Sequence, residues 1–421
     1  MVQTSRRRRG TVAVQTAVCL IAILGVAAVV LDGGLLLDQR RRVQAAADAA
    51  ALAAADDLFA NFNSNGGTDP EGTAKASALS NAAANGYAND GKISIVTVNI
   101  PPKSGIAAGR SGYAEVIIQY NQKRGFSGIF GTGDIAVLAR SVARGTYTHL
   151  NSGILVRDPH APKALDVAGN GSVVVTGGAS LNVNSDSMPN AAIAEGNGNV
   201  SAPTINITGG FLQMGNGRFI GAIKTSASPA PDPLIFLPAP NPNTLILRSS
   251  SQVQISGNSS LTLNPGVYRR GIAVSDNGSV TLNAGIYYLD GGGFSVSGNG
   301  SVIGNGVMIY NAPRKVSDVL DFAGNGNLDI TPITSGVYQG ISLFQDRNSA
   351  AKLSITGNGG LVTSVLGTIY AANALFTISG NGGLDGSQVV VNQLKVVGDG
   401  DFNVKYSSSN TARVRLLGLV E

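Results

Sequence analysis

Hydrophobic and polar positions divide the chain into stretches of different period. From Thr11 to Leu31 no charged residue interrupts an apolar run. That is about 20 residues, the length a helix rising 1.5 Å per residue needs to cross the hydrocarbon core of a bilayer. Behind it, Val43 to Phe59 is dominated by Ala, with Leu52 and Leu58 as larger anchors, so the helix is expected to continue. Asn61 to Pro70 carries Asn-Gly-Gly and Asp-Pro and predicts a break. Glu71 to Tyr87 predicts a second Ala-rich helix, ended by Asn85-Gly86. Ile93 to Ile100, Tyr113 to Tyr120 and Ile135 to Thr148 read as strands, with Phe126 to Phe130 as a short apolar connection. A long helix followed by a few antiparallel strands predicts a small α+β module.

Near Leu150 the texture changes. To about Tyr406 the chain alternates short strands with Gly-Asn-Gly turns, at Gly169-Asn170-Gly171, Gly196-Asn197-Gly198, Gly215-Asn216-Gly217, Gly298-Asn299-Gly300, Gly324-Asn325-Gly326, Gly357-Asn358-Gly359 and Gly380-Asn381-Gly382. In the second half the central residues Asn258, Asn277, Asn299, Asn325, Asn358, Asn381 and Asp399 stand 18 to 33 apart. A loose repeat of that size is a solenoid signal. Each rung is too small to bury its own apolar face and must stack on its neighbours. Gly and Asn supply the left-handed corners, and Asn at successive corners can form a hydrogen-bonded ladder. The expected fold is therefore an N-terminal transmembrane helix with a small α+β module, then an all-β right-handed parallel β-helix. A β-sandwich is the alternative, but the repeat exceeds the 8–12 residue spacing of simple meandering strands. The expected boundaries are 1–60 for the Arg cluster, membrane helix and helical extension, 61–148 for the α+β module and 149–168 for a linker. The β-helix then covers 169–406, with a Pro-rich interruption near 226–243, and 407–421 forms a C-terminal cap.

Charge sharpens this picture. Only 13% of residues are charged, 56 are Gly and Trp is absent, which suits stacked β-structure better than a helical enzyme. The net charge of +5 owes much to Arg6 to Arg9 and Arg40 to Arg42, which flank the apolar run. Charges so placed read as membrane-flanking, not as a nucleic-acid surface. They favour a cytoplasmic N-terminus and place the bulk of this single-pass chain outside the cytoplasm. The apolar run exceeds the 7–15 residues of a signal-peptide core, so a retained anchor is expected. The only cysteine, Cys19, lies inside the run, which excludes disulfides within the chain and a Cys-based metal site.

The N-terminal pattern also carries a resemblance. Arg8, Arg9 and Gly10, the apolar run, Asp32-Gly33, Arg40 to Arg42 and Gln44 to Ala55 together resemble the N-terminal module of TadE/TadG-like proteins of bacterial tight-adherence (Flp, type IVb) pilus assembly systems. A weaker likeness continues to about residue 147, and Gly266 to Asn311, Gly340 to Asn348 and Gly367 to Gly380 are similar to the long extracytoplasmic regions of some TadG-like proteins. Related pilins are processed after a Gly followed five residues on by Glu. Here Gln15 follows Gly10, so a full-length anchor is expected. The resemblance implies a location in the bacterial cell membrane and partners among other Tad/Flp assembly proteins or the pilin.

Candidate chemistry is sparse. His149 and His160 stand apart, and no HExxH, GxSxG or P-loop pattern is present. Because parallel β-helices can cleave polysaccharides, carboxylates on neighbouring rungs deserve inspection: Asp321, Asp329, Asp346 with Arg347, Asp385, Asp399 and Asp401. Asp399-Gly400-Asp401 looks like a fragment of a calcium loop without its remaining ligands. No catalytic, cofactor-binding or metal residue is assigned. The expected function is a non-catalytic envelope protein that anchors or assembles a pilus. Its partners are the lipid bilayer and pilus-assembly proteins, and its flat faces could also take envelope glycans. The alternatives are an anchored surface adhesin and a β-helix polysaccharide lyase or hydrolase.

Overall fold

The computed structural model describes residues 9–129, 131–357, 363–381 and 383–421. Arg6, Arg7, Arg8, Phe130, Asn358, Gly359 and Gly382, singled out above, lie outside them. The chain forms two compact units, one of residues up to Tyr147 together with Arg415–Glu421, the other Thr148–Val414.

The first unit is organised by one continuous helix, α1, Arg9–Ala60. A short turn α2, Phe62–Asn65, and helix α3, Thr73–Ala84, follow. Strands β1 (Ser94–Asn99), β2 (Tyr113–Gln122) and β3 (Ile135–His149) then pair antiparallel, with Ser94 opposite Tyr120 and Tyr113 opposite Arg144. The second half of α1 buries Val43, Ala46, Ala47, Ala50, Ala51, Ala54, Ala55 and Leu58. This i, i+3, i+4, i+7 series is one helix face, packed with Ala74, Ala78 and Ala82 of α3 and with Val116, Ile118, Ala139 and Ala143 of the sheet. Small side chains let the backbones approach. At Gly145 of β3 an added Cβ would overlap the carbonyl oxygen of Ala55.

A fourth strand, Arg413–Leu419, completes this sheet beside β3. The Val142 N–H donates to the Glu421 carbonyl (2.9 Å), and the Val420 N–H donates to the Val142 carbonyl (2.8 Å). Residues expected to cap the solenoid therefore fill a sheet edge, because an open edge beside β3 offers a row of unpaired backbone groups.

The second unit is a solenoid of short strands whose described pairs are all parallel, unlike an antiparallel sandwich. Three ladders run through it. The first joins Leu247–Ser249, Gly266–Arg269, Gly285–Asp290, Val307–Ala312 and Ile341–Gln345, then residues 368–370 of Thr363–Gly380 and 388–391 of Leu384–Val396. It does not stop there. Val389, Val390 and Val391 pair with Ile154, Leu155 and Val156, and the ladder continues through Ser180–Val183 and Asn199–Ile207 to Arg218–Lys224. The last rungs of the chain thus stack on the first. The spatial order is 247 to 405, then 152 to 224, in one uninterrupted stack. Eleven strand segments follow one another along this ladder, so at about 4.8 Å per rung it is about 50 Å long.

This order corrects two expectations. Residues 149–168 are not a linker. Ser152–Val156 and Leu165–Val167 are wholly buried strands, covered on one side by Leu384–Val396 and on the other by Ser180–Val183 and Ala192–Ala194. The Pro-rich segment does not interrupt the stack. It joins the rung ending at Lys224 to the rung starting at Leu247, at opposite ends of the ladder, and runs back along the stack as a strap. Asn184 exchanges two hydrogen bonds with the Ala230 backbone (2.8 and 2.9 Å). Asp232 accepts from Tyr370 (2.8 Å) and pairs with Arg157. Arg347 donates to the carbonyls of Leu234 (2.6 Å) and Leu237 (3.0 Å), and Tyr338 donates to that of Pro238 (3.1 Å). Leu234 is pressed onto Tyr310, Phe344 and Tyr370, an outward-facing aromatic column with ring centroids 5.1 Å apart from rung to rung. Extended at about 3.1 Å per residue, the stretch between these rungs can span the stack.

Inside, Val, Ile, Leu and Phe from every rung form one core. At the corners the Asn ladder is present. Asn277 donates to Asn258 (2.9 Å), Asn299 to Asn277 (2.9 Å) and Asn325 to Asn299 (3.4 Å). Across the junction of late and early rungs Asn170 donates to Asp399 (2.6 Å), then Asn197 to Asn170 (2.7 Å) and Asn216 to Asn197 (2.9 Å). Glycines let the corners nest. Gly298 sits at φ +66°, and a Cβ on Gly326 would overlap the Gly300 carbonyl oxygen one rung away. Two substitutions separate these effects in denaturant unfolding of the purified chain. Gly326→Ala is expected to cost about 1–3 kcal/mol by forcing two rungs apart. Asn277→Ala, losing two solvent-exposed ladder bonds, should cost about 1 kcal/mol.

Candidate functional site

The sequence points first to α1, and its two halves have opposite surroundings. Val12, Val14, Val18, Leu20, Ile21, Ile23, Leu24, Val26, Val29 and Val30 are all more than half exposed, on every side of the helix. A helix apolar all round and uncovered by protein is long and apolar enough to cross a membrane. From Val43 onward the same helix is core.

Asp32 stands at the changeover. It is 6% exposed, and its carboxylate accepts from the backbone N–H groups of Phe126 (3.0 Å) and Ser127 (2.7 Å), the first residues of the 3₁₀ turn Phe126–Ile129. Gly125 leaves it room, since a Cβ there would lie 2.7 Å from Oδ1. Two further polar residues of α1 hold the module. Gln39 donates to the Tyr87 hydroxyl (2.8 Å), whose ring packs edge-on against Tyr120. Gln44 donates to the Arg140 carbonyl (3.0 Å) and to Asp48 (2.8 Å). Asp32 and Gln44 belong to the sequence pattern. Its partner turn did not, because a backbone donor leaves no residue signature.

A charged network the sequence did not reveal runs across the sheet. Glu115 is wholly buried and accepts from Asn99 (2.7 Å), Ser104 (2.6 Å), the Lys103 N–H (3.1 Å) and Arg140 (2.7 Å). Arg140 also pairs with Glu421. Burial alone would raise the Glu115 pKa, but hydrogen bonds from Ser104, Arg140 and Asn99 outweigh it and hold it at about 2. Glu421 is lowered as well, chiefly by its hydrogen bond from Arg140.

The candidate acids of the solenoid do not assemble. Asp321 accepts from Ser354 on the next rung. Asp329 and Asp385 share a ladder with Ser364 between them, about 10 Å apart by rung spacing, and Lys405 pairs with Asp385 at 2.7 Å. Asp346 accepts from Tyr310 (3.0 Å), while Arg347 turns to the strap, so the adjacent pair is not an ion pair of its own. Asp399 and Asp401 accept from Asn170 and Ser172. His160 is exposed and bonded to Asp186 at 3.0 Å, and burial, with Arg413 nearby, lowers the pKa of His149. Among the described residues no three His, Cys, Asp or Glu side chains form a metal-binding group. A groove of about 900 Å³ between Arg269, Arg270, Arg314 and Lys315 has its carboxylates engaged, Asp290 by Arg314 (2.7 and 2.9 Å) and Asp318 by backbone N–H groups.

Residues 10–57 match a family model, that of putative Flp pilus-assembly TadE/G-like proteins. The match lies within α1, which runs to Ala60, and covers the exposed half, Asp32 and most of the Ala-rich docking face. No curated protein matches the chain, and no solved structure does.

Two measurements on the detergent-solubilised chain test the anchor socket. Gly145→Ala should cost about 1–3 kcal/mol, since β3 must move off α1. Asp32→Ala should lower the melting temperature of the first unit, with Asp32→Asn intermediate. The Glu115 network gives a pH dependence of known sign. Its folded pKa lies below the ordinary 4.5, so its stabilisation is complete above about pH 4.5 and drains away as pH falls toward 2. Glu115→Gln is expected to flatten that slope in thermal unfolding.

Proposed function

We propose that this chain is a membrane-anchored, non-catalytic envelope protein of the Flp/Tad pilus assembly system. In this reading the exposed half of α1 crosses the bacterial cell membrane once, with the N-terminus cytoplasmic. The solenoid, taken as a right-handed parallel β-helix, projects on the extracytoplasmic side, and the partners are other assembly proteins or the pilin. The observation that carries the proposal is the division of α1 at Asp32. The segment that matches the pilus-assembly family is apolar and bare before Asp32, and from Val43 on it presents a small-residue face that is buried. Such a helix couples a bilayer to a folded module rigidly, which suits anchoring or assembly. The scattered, hydrogen-bonded carboxylates of the solenoid favour a structural role over polysaccharide cleavage.

Pilus counts by electron microscopy test it. A clean deletion should strip cells of pili, and the full chain should restore them. A chain whose residues 148–414 are replaced by a flexible linker keeps the strand Arg413–Leu419 in part and asks whether the solenoid is needed. Unchanged pili in the deletion strain would end the pilus reading and favour a surface adhesin.

A further inference from the structure

The solenoid enters and leaves its stack in the middle. Ser152–Val156 and Asp401–Lys405 are interior strands, so both end rungs belong to other parts of the chain. One end consists of Phe211–Gln213 and Arg218–Lys224. The other consists of Leu247–Ser249, Val253–Ile255 and Ser260–Leu263. Both are open parallel edges on all three ladders. Solenoids need polar caps at such ends, yet Leu261, in register with the core residue Val280, is left 41% exposed at one of them, and apolar side chains flank both, Ile220 at 52% on one and Ile246 and Leu247 at 64% and 48% on the other. The C-terminal strand that could have served as a cap is spent on β3.

The two ends are also complementary in direction. Every described side-chain bond of the Asn column points the same way, each amide nitrogen donating to the rung nearer Asn258. Asn258 therefore ends the column with a free amide donor, and Asn216 ends it with a free carbonyl acceptor. Backbone groups follow the same polarity, with the N–H groups of Asn277 and Asn216 donating to Gly257 and Gly196 of the preceding rung.

We propose that these ends bind each other between copies, head to tail, so that the solenoid of one chain continues into the solenoid of the next. The partner is a second copy of this chain. In the continued register Phe211–Gln213 pairs with Val253–Ile255 of the next copy, and residues 218–220 pair with 260–262. The Asn258 amide then donates to Asn216, and the column runs on unbroken. Arg218 meets Ser260 and Lys224 meets Leu247, so no like charges stand directly opposed. Because the contact is heterologous and does not use a two-fold axis, it generates an open row of copies rather than a closed dimer. This inference stands apart from the pilus-assembly reading.

Sedimentation of the purified full-length chain in detergent, over rising concentration, tests it. The wild-type chain should show masses at successive multiples of the protomer. Gln213→Lys, which would meet Ile255 of the next copy, blocks one end and Leu261→Lys the other. Both positions are exposed, so folding, checked by circular dichroism, should persist. Each variant alone should associate at least tenfold more weakly, whereas an equimolar mixture should give a dimer and nothing longer, each supplying the open end the other lacks. In a Cys19→Ser background, Asn216→Cys combined with Asn258→Cys should give a ladder of oxidised cross-links, and either cysteine alone none. A wild-type chain that stays monomeric, association that survives in both single variants, a mixture without dimers, or cross-linking by Asn216→Cys alone would each overturn the proposal.

Discussion

A β-rung of this size has two faces to cover and no means of covering either. Its inward side chains fill the core, but its backbone and the flanks of those side chains are shielded only by rungs above and below. Everything in the second unit answers to that constraint. Glycines without room for a Cβ let the corners nest at rung spacing. Asn side chains satisfy one another down the corner. The strap covers an aromatic column, Tyr310, Phe344 and Tyr370, that faces out instead of in. The constraint also explains why the earliest strands are among the most deeply buried, since they are interior in space although first in sequence.

The first unit solves a different problem, how one helix can serve two solvents. Its leading half has apolar side chains on all sides, and its trailing half presents mainly Ala to the protein. Ala buries little area per residue, so the packing depends on close approach, and Gly145 marks where approach is tightest. Between the two, Asp32 pins the helix to the module by accepting from backbone donors of the turn after Gly125. Sheet closure by Arg413–Leu419, with Glu421 on Arg140, ties this unit to the far end of the chain.

Much of this was legible in the sequence where the signal is local. The apolar run, the Ala face of α1, the second helix, the three strands and the Gly-Asn-Gly corners are written in short-range patterns, and among the described residues the structure follows them within a few positions. The spatial order of the rungs was not legible, because Val389 meeting Ile154 is a contact between two ordinary buried strands with no mark of partnership. Residues 149–168 looked like a linker because Asp158-Pro159 and Pro162 break them up, although Ser152–Val156 and Leu165–Val167 are core. The C-terminal strand looked like a cap because Thr411 to Glu421 is more charged and apolar than the repeats, and its true partner, β3, is remote. The Glu115 network was invisible for the same reason, its members being unremarkable until the sheet brings them together.

The reversed threading has a consequence for how the molecule comes to exist. Strands emerge from synthesis in one order and stack in another. Ser152 must wait for Gln388, 236 residues later, before its rung is closed on that side. Until then the first rungs carry an uncovered face and a strap with little to grip. Rung-by-rung stacking from the N-terminus can build 152 to 224 and then 247 to 405, but it cannot join the two until the last strands are made. Its core seals only when the last coil slides in against the first, so an unfinished chain leaves the apolar faces of Ile154 to Val156 and Leu165 to Val167 uncovered in the middle of its stack.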